Sequence, residues 1–293
     1  MKMLYLIDVS GFIFRAFYAL PPLVRPDGTP VGAVLGFCTM LLKLRDQILE
    51  RSGGEALWCG AFDVSRTNFR QSLDPSYKAN RKDVPPELIP QFALIREACE
   101  AFGCPVKEAP GFEADDVIAS YVKKVRKNKG NCVVVSSDKD LMQLHGEGVE
   151  IFDPMKAKWI QPTDILEKFG VEAKDVVDVQ ALAGDPSDGV VGVPGIGVKT
   201  AAELIRQFGS LEVLLANAHT LSQTRRRALL KDYAESALLA KKLVTLYSDL
   251  DFPLDEASLQ FPLKLSEEQC KTLSSFLERQ GFTALKTKIL NKI

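Results

Sequence analysis

The chain has 293 residues, 46% hydrophobic and 26% charged, with a formal net charge of −1 at pH 7. That length suits one large domain or two ordinary ones, and the composition is that of a soluble globular protein; no apolar run reaches the length of a membrane span. The near-zero net charge excludes no partner, because acids clustered in one place mask basic patches elsewhere.

The start, Met1-Lys2-Met3-Leu4-Tyr5-Leu6-Ile7-Asp8, is too short and too soon acidic for a signal peptide. Of the six scattered cysteines, Cys38, Cys59 and Cys132 sit in apolar runs, so buried thiols are expected rather than disulfides. Cys99 and Cys104 have no second pair nearby with which to build a zinc site. The expected compartment is the cytoplasm.

Residues 3–9 read as a strand that carries Asp8 near its end, and residues 11–17 open a short helix bearing Arg15. Prolines and Gly28 make residues 21–30 a loop. Over 34–48 apolar residues recur at helical spacing, and Ser52-Gly53-Gly54 ends that helix. Residues 56–62 form the second strand, with Asp63 behind it. Strand, helix and strand in alternation predict right-handed crossovers and a parallel sheet.

Residues 66–90 break the pattern. They hold few apolar residues, several prolines and the bases Arg66, Arg70, Lys78, Arg81 and Lys82. A long polar excursion from a compact domain is functional or disordered. Bases interleaved with Phe69 and Tyr77 fit a surface that grips phosphates and stacks on bases, while the bland alternative is a solvated loop.

Residues 87–102 are then helical and 104–107 a short strand. The stretch Gly111-Phe112-Glu113-Ala114-Asp115-Asp116 opens an amphipathic helix whose apolar side is Val117, Ile118, Tyr121 and Val122. Acids in a first turn compensate the helix dipole by themselves, and so do Lys123, Lys124, Arg126, Lys127 and Lys129 at the far end. Residues 131–136 read as a buried parallel strand, followed by Asp138-Lys139-Asp140. Carboxylates thus follow almost every strand-like run. If the strands lie side by side, these acids meet at one edge.

After about Phe169 helical patterns replace strands. A helix over 176–183 runs into Gly184-Asp185-Pro186-Ser187-Asp188-Gly189, then Gly192-Val193-Pro194-Gly195-Ile196-Gly197-Val198-Lys199-Thr200-Ala201. Glycines before a helix start free backbone N–H groups to meet an anion, and Lys199 in the first turn suits a phosphate. The stretch reads as a hairpin between helices that binds a phosphate backbone without reading bases. Arg225-Arg226-Arg227 is a second basic spot, and the remainder to Ile293 reads as helical.

Nine acids gathered together repel and raise one another's pKa values, which divalent cations relieve. Oxygen-only ligands select Mg²⁺ or Mn²⁺ over zinc. Two such ions about 3.5–4 Å apart activate a water and stabilise a leaving oxygen. No Ser or Cys stands out with a histidine partner, which disfavours covalent catalysis.

Phe62-Asp63, Tyr77-Lys78-Ala79-Asn80-Arg81, Gly111 to Asp116, Ser137-Asp138-Lys139-Asp140 and Gly184-Asp185 to Asp188, in this order, resemble the 5′-nuclease (flap endonuclease) family. The nearest likeness is to the 5′→3′ exonuclease domain of bacterial DNA polymerase I, over nearly the whole chain. The resemblance implies a mainly parallel α/β nuclease domain (1–170) with a helical arch at about 66–90. A helical DNA-binding domain (171–293) with a helix–hairpin–helix-type motif at 192–201 follows. It implies one ion on Asp8, Asp63, Glu113, Asp115 and Asp116, and a second held or positioned by Asp138, Asp140, Asp185 and Asp188. Mg²⁺ is the expected ion, with Mn²⁺ as substitute.

By the same resemblance Lys78 and Arg81 are catalytic, sharing one face of an arch helix, and Tyr77 stacks on a base. Arg15, Arg70, Gly195, Ile196, Gly197, Val198, Lys199 and Thr200 contact DNA. The resemblance also implies a potassium ion on the main-chain carbonyls of Leu182, Ala183, Val191, Val193 and Ile196. The implied substrate is branched or nicked duplex DNA with a 5′ single-stranded end, cut by a monomer during replication and repair near the bacterial nucleoid, with no membrane involved. Gly189-Val190-Val191 departs from the Asn-Ile-Pro more usual in relatives. Three other classes compete. A phosphatase with an N-terminal aspartate nucleophile wants D-x-D where Asp8-Val9-Ser10 stands. An RNA nuclease with a similar acidic site does not explain the glycine hairpin. A weakly catalytic DNA-binding relative is expected to have lost some acids.

Overall fold

The computed structural model describes residues 1–65 and 67–290. Arg66, one of the bases of the polar excursion, lies outside the described residues, as do residues 291–293. The sheet contains β1 (Met3–Asp8), β2 (Ala56–Ala61), β3 (Val106–Lys107), β4 (Cys132–Val135), β5 (Val149–Asp153) and β6 (Lys158–Ile160) in the order β3-β2-β1-β4-β5-β6. All neighbours are parallel except β5 and β6. Sequence patterning misses the β5–β6 hairpin, because three to five residues are too few to show a period. Side chains alternate between two buried faces: Leu4, Leu6, Leu57, Cys59 and Val134 on one, Tyr5, Ile7, Trp58, Val133 and Val135 on the other. Burial on both faces explains why these strands read as unbroken apolar runs.

The helices are α1 (Val9–Ala19), α2 (Gly32–Ser52), α3 (Phe69–Leu73), α4 (Ile89–Ala101), α5 (Ala114–Lys127) and α6 (Pro162–Phe169). After them come α7 (Val176–Ala183), α8 (Val198–Phe208), α9 (Leu211–Asn217), α10 (Thr224–Asp232), α11 (Ala234–Val244), α12 (Glu267–Arg279) and α13 (Thr283–Leu290). One face of the sheet packs on α1, α2, α4, α12 and α13. The other packs on α5, whose apolar side shares one continuous core with α6 to α11. No helix among the described residues is long and apolar enough to cross a membrane. All six cysteines are free thiols, and all but Cys270 are buried.

Two expectations need correction. Residues 67–88 hold only the five-residue α3 and turns, not a helix through Lys78 and Arg81; Lys78 sits in the left-handed region at φ 56°. The C-terminal part does not stay with the helical layer either. The Trp58 N–H donates to the Leu259 carbonyl at 2.8 Å, and the Phe261 N–H to the Ala56 carbonyl at 3.0 Å. Arg45 caps the Pro262 and Leu263 carbonyls at 2.6 and 3.0 Å, and α12 packs on α4. The expected helical unit 171–293 therefore ends in a segment that pairs with β2. Its short, irregular apolar residues between 247 and 266 carry no period that would announce this. On the way, Asp249 and Asp251 pair with Lys123 and Lys124, so these bases of α5 have structural partners.

Candidate active site

Because β1, β2 and β4 run parallel, Asp8, Asp63 and Asp138 all emerge at the same sheet edge. Asp8 ends β1 and caps α1: its carboxylate accepts from the Gly11 N–H at 2.9 Å and from the Ser136 hydroxyl at 2.7 Å. Burial nevertheless pushes its pKa up to about 6, with repulsion from Asp138 and Asp63 added. The first turn of α5 supplies Asp115, raised well above the usual carboxylate range by burial and then by Asp138 and Asp8. Asp140 is raised to about 6 by burial and by Asp138, although the Gln180 amide donates to it at 2.6 Å. Ser136 also accepts the Asp138 N–H at 3.0 Å, and Asp138 the Asp140 N–H at 2.8 Å, which fixes the D-x-D turn. At the rim, exposed Asp63 accepts the Ala114 N–H at 2.8 Å.

The loop after α7 forms the opposite wall. Buried Asp185 accepts from the Ser187 N–H and hydroxyl on one oxygen and pairs with Lys139 on the other. Burial opposes its charge, but Lys139 and Ser187 outweigh it and hold its pKa below the usual value. Asp188 takes Arg81 at 2.6 Å and Lys78 at 3.6 Å. The Lys78 N–H also donates to the Asp188 carbonyl at 2.7 Å. Gly189, at φ 71°, lets the two turns touch: a Cβ there would lie 2.8 Å from the Ser76 carbonyl oxygen. Val190 returns to pair with Asp185 through two backbone hydrogen bonds of 2.9 Å, so the departure at 189–191 is accommodated by close packing.

Four assignments change on this geometry. Asp116 is fully buried, in a two-pronged ion pair with Arg70 at 2.7 and 2.8 Å, and also accepts the Glu113 and Tyr247 N–H groups. Its oxygens are taken, so it is not placed as a metal ligand. Arg70 is equally buried, donating also to the Leu243 and Thr245 carbonyls, and does not face DNA. Tyr77 is buried too; its hydroxyl donates to Glu113 at 3.0 Å, and its ring is not presented to a base. Glu113 itself holds Tyr77, Lys78, Asn68 and Arg70, which makes it the hub of the basic side of the site rather than a free ligand. Lys78 keeps its charge: burial disfavours it, but Glu113 and Asp188 raise its pKa.

Arg15 is exposed on α1. Lys199, Val198 and Gly197 are exposed at the start of α8, with Thr200 half-buried and the Ile196 side chain buried beneath them. Gly195 has φ 77° and open space around it, leaving the backbone accessible. Of the carbonyls implied for potassium, Leu182 accepts from Val193, Val193 from Ile196, and Val191 from the Ser236 hydroxyl. Sequence reading misses Ser136, Lys139 and Gln180. Lys139 lies inside the recognised motif and Ser136 just before it, where only the acids draw attention, and a glutamine in a helix gives no signal.

Residues 3–170 match the family model of the 5′-3′ exonuclease N-terminal resolvase-like domain, and residues 171–267 that of the 5′-3′ exonuclease C-terminal SAM fold. The chain belongs to the 5′-3′ exonuclease family. This is a family of nucleases, and the mixed α/β layer followed by a SAM-fold helical layer is its architecture. Within the family, the 5′-3′ exonuclease of Aquifex aeolicus is 37% identical over 89% of this chain and 87% of its own. The DNA polymerase I of Rhizobium leguminosarum is 45% identical over 98% of this chain, which spans 28% of that polymerase. The fold resembles the bacteriophage T5 flap endonuclease crystallised with DNA and metal ions (TM-score 0.67, 20% identity, covering 96% of this chain and 100% of that one).

Among the described residues, no three His, Cys, Asp or Glu already close tightly enough to cage a metal ion. Lys78, Arg81 and Lys139 stand on the acids of the second wall. The donors of the first wall nonetheless fit a hard cation: they are all carboxylate oxygens, and Asp8, Asp115 and Asp140 are pushed up by burial and one another.

Proposed function

We propose that the chain is a metal-dependent 5′→3′ exonuclease and structure-specific 5′-flap endonuclease that hydrolyses DNA phosphodiester bonds with two ions. The observation that carries this reading is the convergence of Asp8, Asp63, Asp115, Asp138 and Asp140 at one sheet edge, where burial and mutual repulsion raise Asp8, Asp115 and Asp140. A cluster of this kind is stable as anions only beside cations, and its all-oxygen chemistry suits Mg²⁺, with Mn²⁺ as substitute. Asp8, Asp63 and Asp115 would hold one ion, and Asp138, Asp140, Asp185 and Asp188 would hold or position another. Bound there, such ions make water nucleophilic at neutral pH and neutralise the leaving oxygen.

The chain's own residues place the substrate. Lys78 and Arg81, already side by side on Asp188, supply positive charge against the negative charge that builds on the scissile phosphate. Gly195 to Thr200 present backbone N–H groups and Lys199 to the duplex backbone, and Arg15 lies on the exposed side of α1. A potassium ion on the carbonyls of the 182–196 hairpin would bridge protein and phosphate. The substrate is branched or nicked duplex DNA with a 5′ single-stranded end, which fits removal of primers and flaps in replication and repair. The names of the relatives and the DNA-bound T5 neighbour support this reading. The test is cleavage of a 5′-flap DNA with Mg²⁺ and with chelator. Release of the flap only with metal is expected; an inert protein in Mg²⁺ would overturn the proposal.

A further inference from the structure

The two walls of the site differ in how their charge is balanced. On the first wall, Asp8 and Asp115 face Asp138 and one another, and the donors that reach Asp8 are a backbone N–H and a hydroxyl, both uncharged. On the second wall, Asp188 carries Lys78 and Arg81, and both oxygens of Asp185 are taken, one by Ser187 and the other by Lys139. Asp185 is 2% exposed, whereas Lys139 is 32% exposed, so the lysine can swing into solvent while the carboxylate cannot. Lys139 sits between Asp138 and Asp140 in the chain. Next to it Gln180 donates to Asp140, and the Gln180 carbonyl oxygen is buried without a hydrogen-bond partner, an acceptor for a water that an ion would bring.

We infer that Lys139 is a built-in counter-ion that occupies the place of the second divalent cation and lowers the affinity for it. The cation enters by displacing the ammonium group from Asp185. This rests on the two-ion reading above. It gives the pair of ions an order: the first wall loads readily, and the second loads only against Lys139. A cation held in reserve has a structural use, because it keeps buried Asp185 neutralised and the 185–190 turn closed when the second ion is absent.

The test is Mn²⁺ titration of the whole chain without DNA, reading free manganese by its solution EPR signal. The parent is expected to show one tighter and one weaker class of site. Lys139→Met and Lys139→Gln should tighten the weaker class by about tenfold, the effect of removing one nearby positive charge, and leave the tighter class alone. Lys139→Arg should bind as the parent does. Lys123→Met removes a surface charge paired with Asp249 and is expected to leave both classes unchanged. A weaker class that stays the same or loosens in both neutral Lys139 variants would overturn the inference while leaving the two-ion reading in place. An equal gain in Lys123→Met would assign the effect to net charge and also overturn it. A parent that binds no manganese would overturn both.

Discussion

At the scale of single residues, adjacent carboxylates in one helical turn do different work. Asp115 faces the acidic cluster, and Asp116 faces Arg70 inside the protein. Asp115→Asn should abolish cleavage and leave thermal unfolding of the metal-free protein unchanged or raised. Asp116→Asn should cost about 3–5 kcal/mol of stability, because it strands a buried guanidinium; denaturant unfolding checks this, and equal stability of the two variants would contradict the assignment. Asp8 gives a pH test. Its folded pKa is about 6 against 3.8 for an ordinary aspartate, so between these values the folded state binds more protons. Stability from this group is therefore full below about pH 4 and declines as pH rises through 6. Asp8→Asn keeps the helix cap without the charge. In chelator at pH 7.5 the variant should exceed the parent by on the order of 1–3 kcal/mol. That advantage should shrink as pH falls toward 4, and saturating Mg²⁺ should stabilise only the parent. An advantage independent of pH would remove Asp8 from the cluster.

At the scale of elements, the proposed function gives chemistry to the turn after α3 and grip to the start of α8. Lys78 and Arg81 converge through a left-handed turn braced on Asp188, not through helical spacing. Preorganised charge at the scissile phosphate acts on the rate. Lys78→Ala is expected to lower the single-turnover rate at saturating flap DNA with binding little changed; parental cleavage under saturation would make Lys78 a binding residue. Lys199 is exposed on the first turn of α8, and the proposed function gives it a phosphate contact. Lys199→Ala should weaken binding at every sequence alike and flatten the slope of log affinity against log salt by about one. An unchanged slope would place the phosphate contact elsewhere.

At the scale of the whole molecule, the chain's end fastens its beginning. Phe261 is buried edge-on against Trp58, ring centroids 4.9 Å apart, and stacks beneath Arg45. Phe261→Ala should cost about 3–5 kcal/mol, as for other large aromatic truncations in a core. Were residues 171–293 a separate helical body, the same change would leave unfolding of the α/β layer untouched. Arg70 makes a second tie, joining α3, α5 and the Leu243 and Thr245 carbonyls at the end of α11. The helical layer and the acidic edge are thereby held in one register.

The sequence by itself determined the strands β1, β2 and β4, the helices between them and the placing of Asp8, Asp63 and Asp138 at one edge. Apolar runs, helical spacing and parallel connectivity are local signals, and once the strands are parallel their ends must coincide. It also marked Asp185 and Asp188, which the structure brings opposite the acids of the sheet edge. Only the tertiary structure separated Asp115 from Asp116, buried Arg70 and Tyr77, brought Lys139 to Asp185 and returned residues 259–261 to β2. In each of these the decisive partner is remote in sequence or lies across a turn with no period. A carboxylate's environment, and with it the choice between holding a cation and holding an arginine, is set by which distant donors reach it, and folding alone decides that.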